Sequence, residues 1–237
     1  AEPAYAETLA NYANNYETIA TANSDHFKFD SLNNESQPAK HQMWLTQTQV
    51  NFCAKAFPSV HATHPDAPGL TVLAHFLRNG VLHKTIREQG GAYGGGASQD
   101  SQLGVFKFYS YRDPRLLKTF ADFDASIDWM LTEEHSQSAL EEAIFTVISA
   151  IDKPSSPAGE ARKHHAQLLS GTSDEQKRAF RNGVLSMTIG ELKRLTEVYL
   201  SSDSALSAAS TAVISSEAYL TEHEFNCEAH GYQIHHV

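Results

Sequence analysis

Apolar residues recur every three or four positions at the start of the chain, at Tyr5, Leu9, Tyr12, Tyr16 and Ile19. That spacing places all five on one face of an amphipathic helix. Residues 22–40 are polar and rich in Asn and Ser, and read as a connection. From 44 to 57 the period shortens. Trp44, Thr46, Thr48, Val50, Phe52 and Ala54 share one parity, as in a strand. After a proline-marked turn, HPDAPG at 64–69, the residues Leu70, Leu73, Leu77, Val81 and Ile86 restore a helical stripe. Gly90 and Gly91 supply its stop. Residues 92–98 are Gly-rich. The run LGVFKFYSY at 103–111 is apolar on both parities, which predicts a strand inside a sheet covered on both faces.

The second half reads mostly as helix. Asp113 is expected to cap a helix whose first residue is Pro114, where the missing N–H costs nothing. Leu116, Phe120, Phe123, Ile127 and Met130 then face one way. A further helix is expected near Ser138, with Glu141 completing a capping box and Leu140, Ile144, Val147 and Ile151 as its buried stripe. DKPSSPAG at 152–159 breaks the pattern before shorter helices to about Leu200, one of them opened by Thr188 and Glu191. An apolar run at 209–214 reads as a returning strand. The order is helix, strand, helix, strand pair, several helices, strand. It predicts an α+β fold, a mixed sheet with helices packed on it.

Composition narrows the function more than the fold. At 237 residues the chain can bury a sizeable core, and 41% hydrophobic with 19% charged residues is ordinary for a globular domain. No apolar stretch reaches the roughly 20 residues of a membrane helix. The opening AEPAYAETLANY lacks the basic start and apolar block of a signal peptide, so the compartment stays open. Cys53 and Cys227 are too few for a disulfide framework and read as two independent buried or semi-buried thiols. A formal net charge of −10 argues against nucleic acid as partner. It favours cationic ligands, basic peptides included, although solubility alone accounts for it equally well.

Five of the thirteen glycines fall between Gly90 and Gly96, within LHKTIREQGGAYGGGA at 82–97. Such density marks unusual backbone or a close approach. A phosphate cradle does not fit. A Walker loop needs Lys and then Ser or Thr after its last glycine, and here Ala97 and Ser98 follow. A dinucleotide fingerprint lies between a strand and a helix, the reverse of the order here. A zinc helix needs two histidines four residues apart, and the thirteen histidines contain no such pair. His223, His230, His235 and His236, with Glu222 and Glu224, crowd the C-terminus and read as exposed polar residues on a tail. That group could hold metal adventitiously.

The run IREQGGAYGGGAS, followed by FKFYSYRDPRLLKTF, resembles the C-terminal half of the pitrilysin and insulin-degrading-enzyme family of zinc peptidases, its presequence-protease branch most closely. The likeness is sharp over about residues 68–131 and architectural to about 220, with none over residues 1–40. The residue pattern alone makes residues 1–40 an N-terminal helix and polar linker. The resemblance implies a mainly antiparallel sheet covered by helices, with residues 41–237 as an insulinase-type peptidase domain. It also implies an enzyme of two similar halves enclosing a peptide. The N-terminal half carries the zinc on an inverted His-x-x-Glu-His motif, and no metal is expected in this chain. The C-terminal half supplies an Arg and a Tyr across a glycine turn. By that resemblance Arg87 and Tyr93 are catalytic and substrate-binding, and Gly94 and Gly95 let the peptide backbone come near. The partners implied are the N-terminal half and a peptide, with no nucleic acid or membrane, and the isolated chain is expected to be inactive.

The residue types suit that chemistry. A phenol, with a reference pKa of about 10, keeps its proton at neutral pH and can donate to a developing oxyanion. A guanidinium is always charged and offers a planar fork to a carbonyl or carboxylate. Two alternatives remain open: a non-catalytic scaffold or partner subunit of the same fold, and a small-molecule or nucleotide enzyme using the Gly-rich turn.

Overall fold

In the computed structural model, which describes residues 10–11, 40–169 and 172–237, six strands build one sheet. They are β1 (His41–Leu45), β2 (Asn51–Pro58), β3 (Gly94–Asp100), β4 (Val105–Asp113), β5 (Ser210–Ser215) and β6 (Gln233–His236). Their order across the sheet is β3-β4-β2-β5-β1-β6. The β3–β4, β4–β2 and β2–β5 pairs are antiparallel, whereas β5–β1 and β1–β6 are parallel. The expected α+β fold with a mixed, mainly antiparallel sheet is therefore present.

Eight α-helices are described: α1 (Ala67–Leu77), α2 (Leu117–Thr132), α3 (Gln137–Ile151), α4 (Pro157–Leu169), α5 (Asp174–Leu185), α6 (Ile189–Thr196), α7 (Asp203–Ala208) and α8 (Glu217–Glu222). Helix α1 runs on as a π-helix over Arg78–Gln89. Met43, Cys53, Phe57, Phe106, Phe108 and Val213 of the sheet form one core with Leu70, Leu73 and Leu77 of α1 and Phe123, Ile127 and Met130 of α2. Phe108 stacks on Phe123 at 5.5 Å and meets Phe57 edge-on at 6.0 Å. Each such ring, fully buried, is worth about 2–3 kcal/mol. Residues 39–237 make one compact unit. The helix expected over residues 5–19 and the connection at 22–40 lie outside the described residues, apart from residues 10–11, which are helical, and Lys40.

Several boundaries differ from expectation for local reasons. The single strand read over 44–57 is two strands, because the chain must cross β5 and reverse. Met43 of β1 pairs with Val213 in parallel, and Cys53 of β2 pairs with the same residue antiparallel. Between them Thr48 turns the chain, its hydroxyl donating to the Val50 carbonyl at 2.9 Å. The core takes Met43, Leu45, Cys53 and Phe57, so Trp44 lies on the opposite face. Helix α2 begins at Leu117 rather than Pro114, since Asp113 is a buried end of β4 whose carboxylate accepts from the Arg115 amide at 2.9 Å and the Thr119 hydroxyl at 2.7 Å. Helix α3 is capped by Ser136, not Ser138. The histidine-rich tail is no loose end, because Gln233–His236 adds an edge strand parallel to β1.

Strand β4 corrects a further expectation. It is interior to the sheet, and its two parities differ: Phe106, Phe108 and Ser110 are buried, whereas Val105, Lys107 and Tyr109 are half-buried and Tyr111 is exposed among the described residues. The aromatic residues of its other parity look outward.

Candidate functional site

The Arg87–Tyr93 segment is built by a helix that widens, stops and hands over to an edge strand. In the π-helix the stripe passes from Leu77 to Leu82 and Ile86, all fully buried, which leaves Arg87 pointing to solvent. Such widened turns are uncommon and concentrate at functional sites. The chain then folds back. Gly91 accepts the left-handed conformation (φ 80°), its N–H bonding the Arg87 carbonyl at 3.1 Å, and the Ala92 N–H bonds the Ile86 carbonyl at 3.1 Å. Ala92 is buried, which turns Tyr93 outward, and its side chain is 69% exposed.

Each of the two expected residues has its own local contacts. Arg87 Nη1 lies 3.3 Å from His83 Nε2, one turn earlier, and His83 Nδ1 faces Glu88 Oε1 at 3.3 Å. Tyr93 meets Tyr111 edge-on at 5.8 Å, and its amide donates to the Arg112 carbonyl at 3.2 Å. Among the described residues no hydrogen bond or cation–π contact joins Arg87 to Tyr93. They stand on opposite sides of the turn, both open to solvent.

Tyr111 and Arg112 escaped the sequence reading. Opposite Asn51–Cys53, strand β4 carries an extra residue, the register shifting from Asn51↔Asp113 to Cys53↔Ser110. Arg112 takes up the irregularity at φ 50°. A bulge of this kind re-aims side chains. Here Tyr111 and Arg112 are consecutive and both exposed, with the guanidinium 5.7 Å from the Tyr111 ring centroid. The tyrosine doublet FYSYRD was visible in the sequence, but not the bulge that turns its end outward.

The glycines serve different ends. A Cβ at Gly95 would meet Ile86 Cγ2 at 2.6 Å, and one at Gly96 would meet Arg78 Cγ at 2.9 Å, so these two let the helix lie close over β3. Gly94 has nothing within 4 Å. Among the described residues strand β3 is the last in the sheet, and its outer edge pairs with no described strand.

The turn is propped from behind by a partly buried ion group. Arg115 Nη1 bonds Asp122 Oδ2 at 2.9 Å, and its Nε lies 3.5 Å from Asp113 Oδ1. The guanidinium fills the space that a side chain at Gly90 would need. Asn51 adds a brace, accepting from the Ser215 hydroxyl at 2.6 Å and donating to the Arg115 carbonyl at 3.3 Å.

Among the described residues no three His, Cys, Asp or Glu side chains converge as a metal site would require. The C-terminal histidines are instead spread over separate rings: His223 stacks on Tyr219 at 4.0 Å, His230 on Phe225 at 4.7 Å, and His235 on Trp44 at 4.3 Å. A large cavity of about 740 Å³ lies elsewhere, among α1, α3, α4 and α5, with Thr71, His75, Val147, Lys163 and Phe180 in its wall. Cys53 and Cys227 are both free and buried, as expected. No described helix is long and apolar enough to cross a membrane.

Solved structures share this fold. A protease from Helicobacter pylori superposes with a TM-score of 0.61 at 14% identity, covering 84% of this chain and 52% of that one. Pitrilysin superposes at 0.56 with 12% identity, covering 83% of this chain and 22% of that one. The fold is thus that of a pitrilysin-type peptidase domain. Residues 41–217 match the family described as PreP C-terminal domain, and the chain belongs to that family. Among its relatives, the mitochondrial presequence protease of Yarrowia lipolytica is 34% identical over 203 residues, 86% of this chain. The chain spans only about a fifth of that relative's length.

Proposed function

We propose that this chain, with residues 41–237 as its peptidase-type domain and 1–40 as a leading helix and linker, is the substrate-gripping C-terminal part of a zinc endopeptidase that degrades peptides. The observation that supports this reading is the exposure of Arg87 and Tyr93 on either side of a turn whose Gly90 packs against the Arg115 guanidinium. Attack of water on a peptide carbonyl moves negative charge onto its oxygen. The Tyr93 hydroxyl donates to that oxygen, and one such donor is worth about 3 kcal/mol of transition-state stabilisation. The Arg87 fork holds a neighbouring carbonyl or carboxylate of the peptide. Gly94, with nothing within 4 Å of where a side chain would stand, leaves room for the peptide backbone at the edge of β3, which pairs with no strand among the described residues. Gly95 beside it contributes to substrate binding through its backbone, its other side being packed against Ile86.

Zinc does not fit the described residues of this chain, and in this reading it belongs to the N-terminal half of the enzyme. The partners are accordingly that half and the peptide itself. The test is direct. The purified chain with added zinc leaves a quenched fluorescent peptide intact, and the same chain joined to a half bearing His-x-x-Glu-His cuts it. Cleavage by the chain alone, free of contaminating protease, refutes the assignment.

A further inference from the structure

Strand β4 breaks its alternation at one place. Phe106, Phe108 and Ser110 are buried in turn, and the next buried residue is Asp113, three positions on instead of two. The extra residue lies opposite Asn51–Cys53, where Phe52 of β2 faces both Tyr111 and Arg112. Without it, Asp113 opposite Asn51 would put Tyr111 across from Cys53, on the buried face. With it, Tyr111 and Arg112 both turn away from the core. The bulge has a cost, since Arg112 sits at φ 50°, an unfavourable conformation for a residue with a side chain. It is pinned from behind by the fully buried Asn51, which accepts from the Ser215 hydroxyl and donates to the Arg115 carbonyl.

What the bulge achieves is a set of contacts around one ring. Phe52 meets Tyr111 edge-on at 5.3 Å, and Tyr93 meets it at 5.8 Å with the ring planes 70° apart. The Arg112 guanidinium lies 5.7 Å from the Tyr111 centroid. Across the ladder Tyr111 pairs with Gly94, which brings no side chain, and the ring that reaches it from that side is Tyr93. The Arg112 carbonyl accepts from the Tyr93 amide at 3.2 Å. Tyr93 is thus held twice by the bulge, at its backbone by Arg112 and at its ring by Tyr111. An edge-to-face contact fixes orientation as well as position. An oxyanion donor needs that, because its hydroxyl must come within about 2.7–3.1 Å of the charged oxygen. A misplacement of about 1 Å can cost about 10²-fold in rate.

We propose that Tyr111, aimed outward by the β4 bulge, is the positioning residue for the Tyr93 hydroxyl. The proposal rests on the reading of Tyr93 as the oxyanion donor. Tyr111 acts through the Tyr93 ring and not on the peptide. The contact is made by its own ring, so its hydroxyl is dispensable.

The test is a double-mutant cycle in the chain joined to its zinc-bearing half, with kcat and KM measured on a quenched fluorescent peptide. Tyr111→Ala lowers kcat about 10–100-fold and moves KM by no more than about threefold. Tyr111→Phe, which keeps the ring, retains kcat within about threefold. In a Tyr93→Phe background, Tyr111→Ala lowers kcat by no more than about a further twofold, because the hydroxyl it positions is already gone. Tyr111→Leu follows the same pattern and serves should Tyr111→Ala fail to fold. Losses that multiply in the double variant, or a Tyr111→Phe loss as large as that of Tyr111→Ala, overturn the positioning role and leave Tyr93 as the donor. An unchanged kcat in folded Tyr111→Ala or Tyr111→Leu does the same. An undiminished kcat for Tyr93→Phe alone instead refutes the oxyanion reading, and the positioning role with it.

Discussion

Gly90 and Arg115 are in direct contact, the guanidinium filling the volume that a side chain at residue 90 would take. Through this contact the Asp113–Arg115–Asp122 group backs the turn between Arg87 and Tyr93. Gly90 is at φ −84°, an ordinary value, so glycine is needed there for space and not for conformation. Gly90→Ala is therefore expected to cost about 1–3 kcal/mol, the usual range for overpacking. In an Arg115→Met background only the part of that cost due to the guanidinium should be relieved, because the Ile86 backbone carbonyl also stands against the added Cβ and cannot yield. Urea unfolding of the four proteins in this cycle measures the coupling. Additive costs would mean that the two residues do not press on each other.

A second prediction concerns acid stability. Asp66 joins the start of α1 to the helices after it, accepting from Arg194 Nη2 at 2.5 Å and from the Tyr199 hydroxyl at 2.8 Å. Burial pushes its carboxyl pKa up, but these hydrogen bonds outweigh burial and hold it below the ordinary 3.8. A carboxylate whose folded pKa is depressed stabilises above its unfolded pKa, and the gain is lost as pH falls through the folded value. Asp66→Asn should thus cost about 1 kcal/mol at pH 7, given the exposure of Arg194. The gap should shrink as pH drops below 3.8. Urea midpoints at pH 7 and pH 3 make the comparison, and a constant gap would contradict it.

The thiols report on unfolding. Burial pushes the Cys53 thiol up to about 12 and also raises Cys227. The thiolate is the reactive form, so at pH 8 the folded chain should resist a thiol reagent and react fully in urea. Rapid labelling of Cys53 in the folded chain would show that the core around β2 opens far more readily than its packing implies.

Much of this architecture is legible in the sequence, and the misses share a cause. Leu70, Leu73 and Leu77, like Phe123, Ile127 and Met130, repeat at helical spacing because each set faces the same core, and the structure buries them all. The strand at 209–214 and the stop at Gly90 are local signals of the same kind. Long-range facts are another matter. Nothing near Thr48 says that β1 and β2 must flank β5 in opposite directions, and the four-residue β6 is too short for any period to show. The Arg87 and Tyr93 pair came from the family resemblance. The bulge that brings Tyr111 and Arg112 beside Tyr93 depends on pairing with Asn51 and Cys53, some 60 positions away, which no window along β4 contains.

The oxyanion role of Tyr93 is tested most directly by Tyr93→Phe in this chain joined to its zinc-bearing half. Only a hydroxyl is lost, and the ring keeps its contact with Tyr111. Turnover should fall about 10²–10³-fold, the usual cost of one oxyanion donor, while peptide affinity stays within about twofold. Turnover within about twofold of the unaltered enzyme would contradict the account.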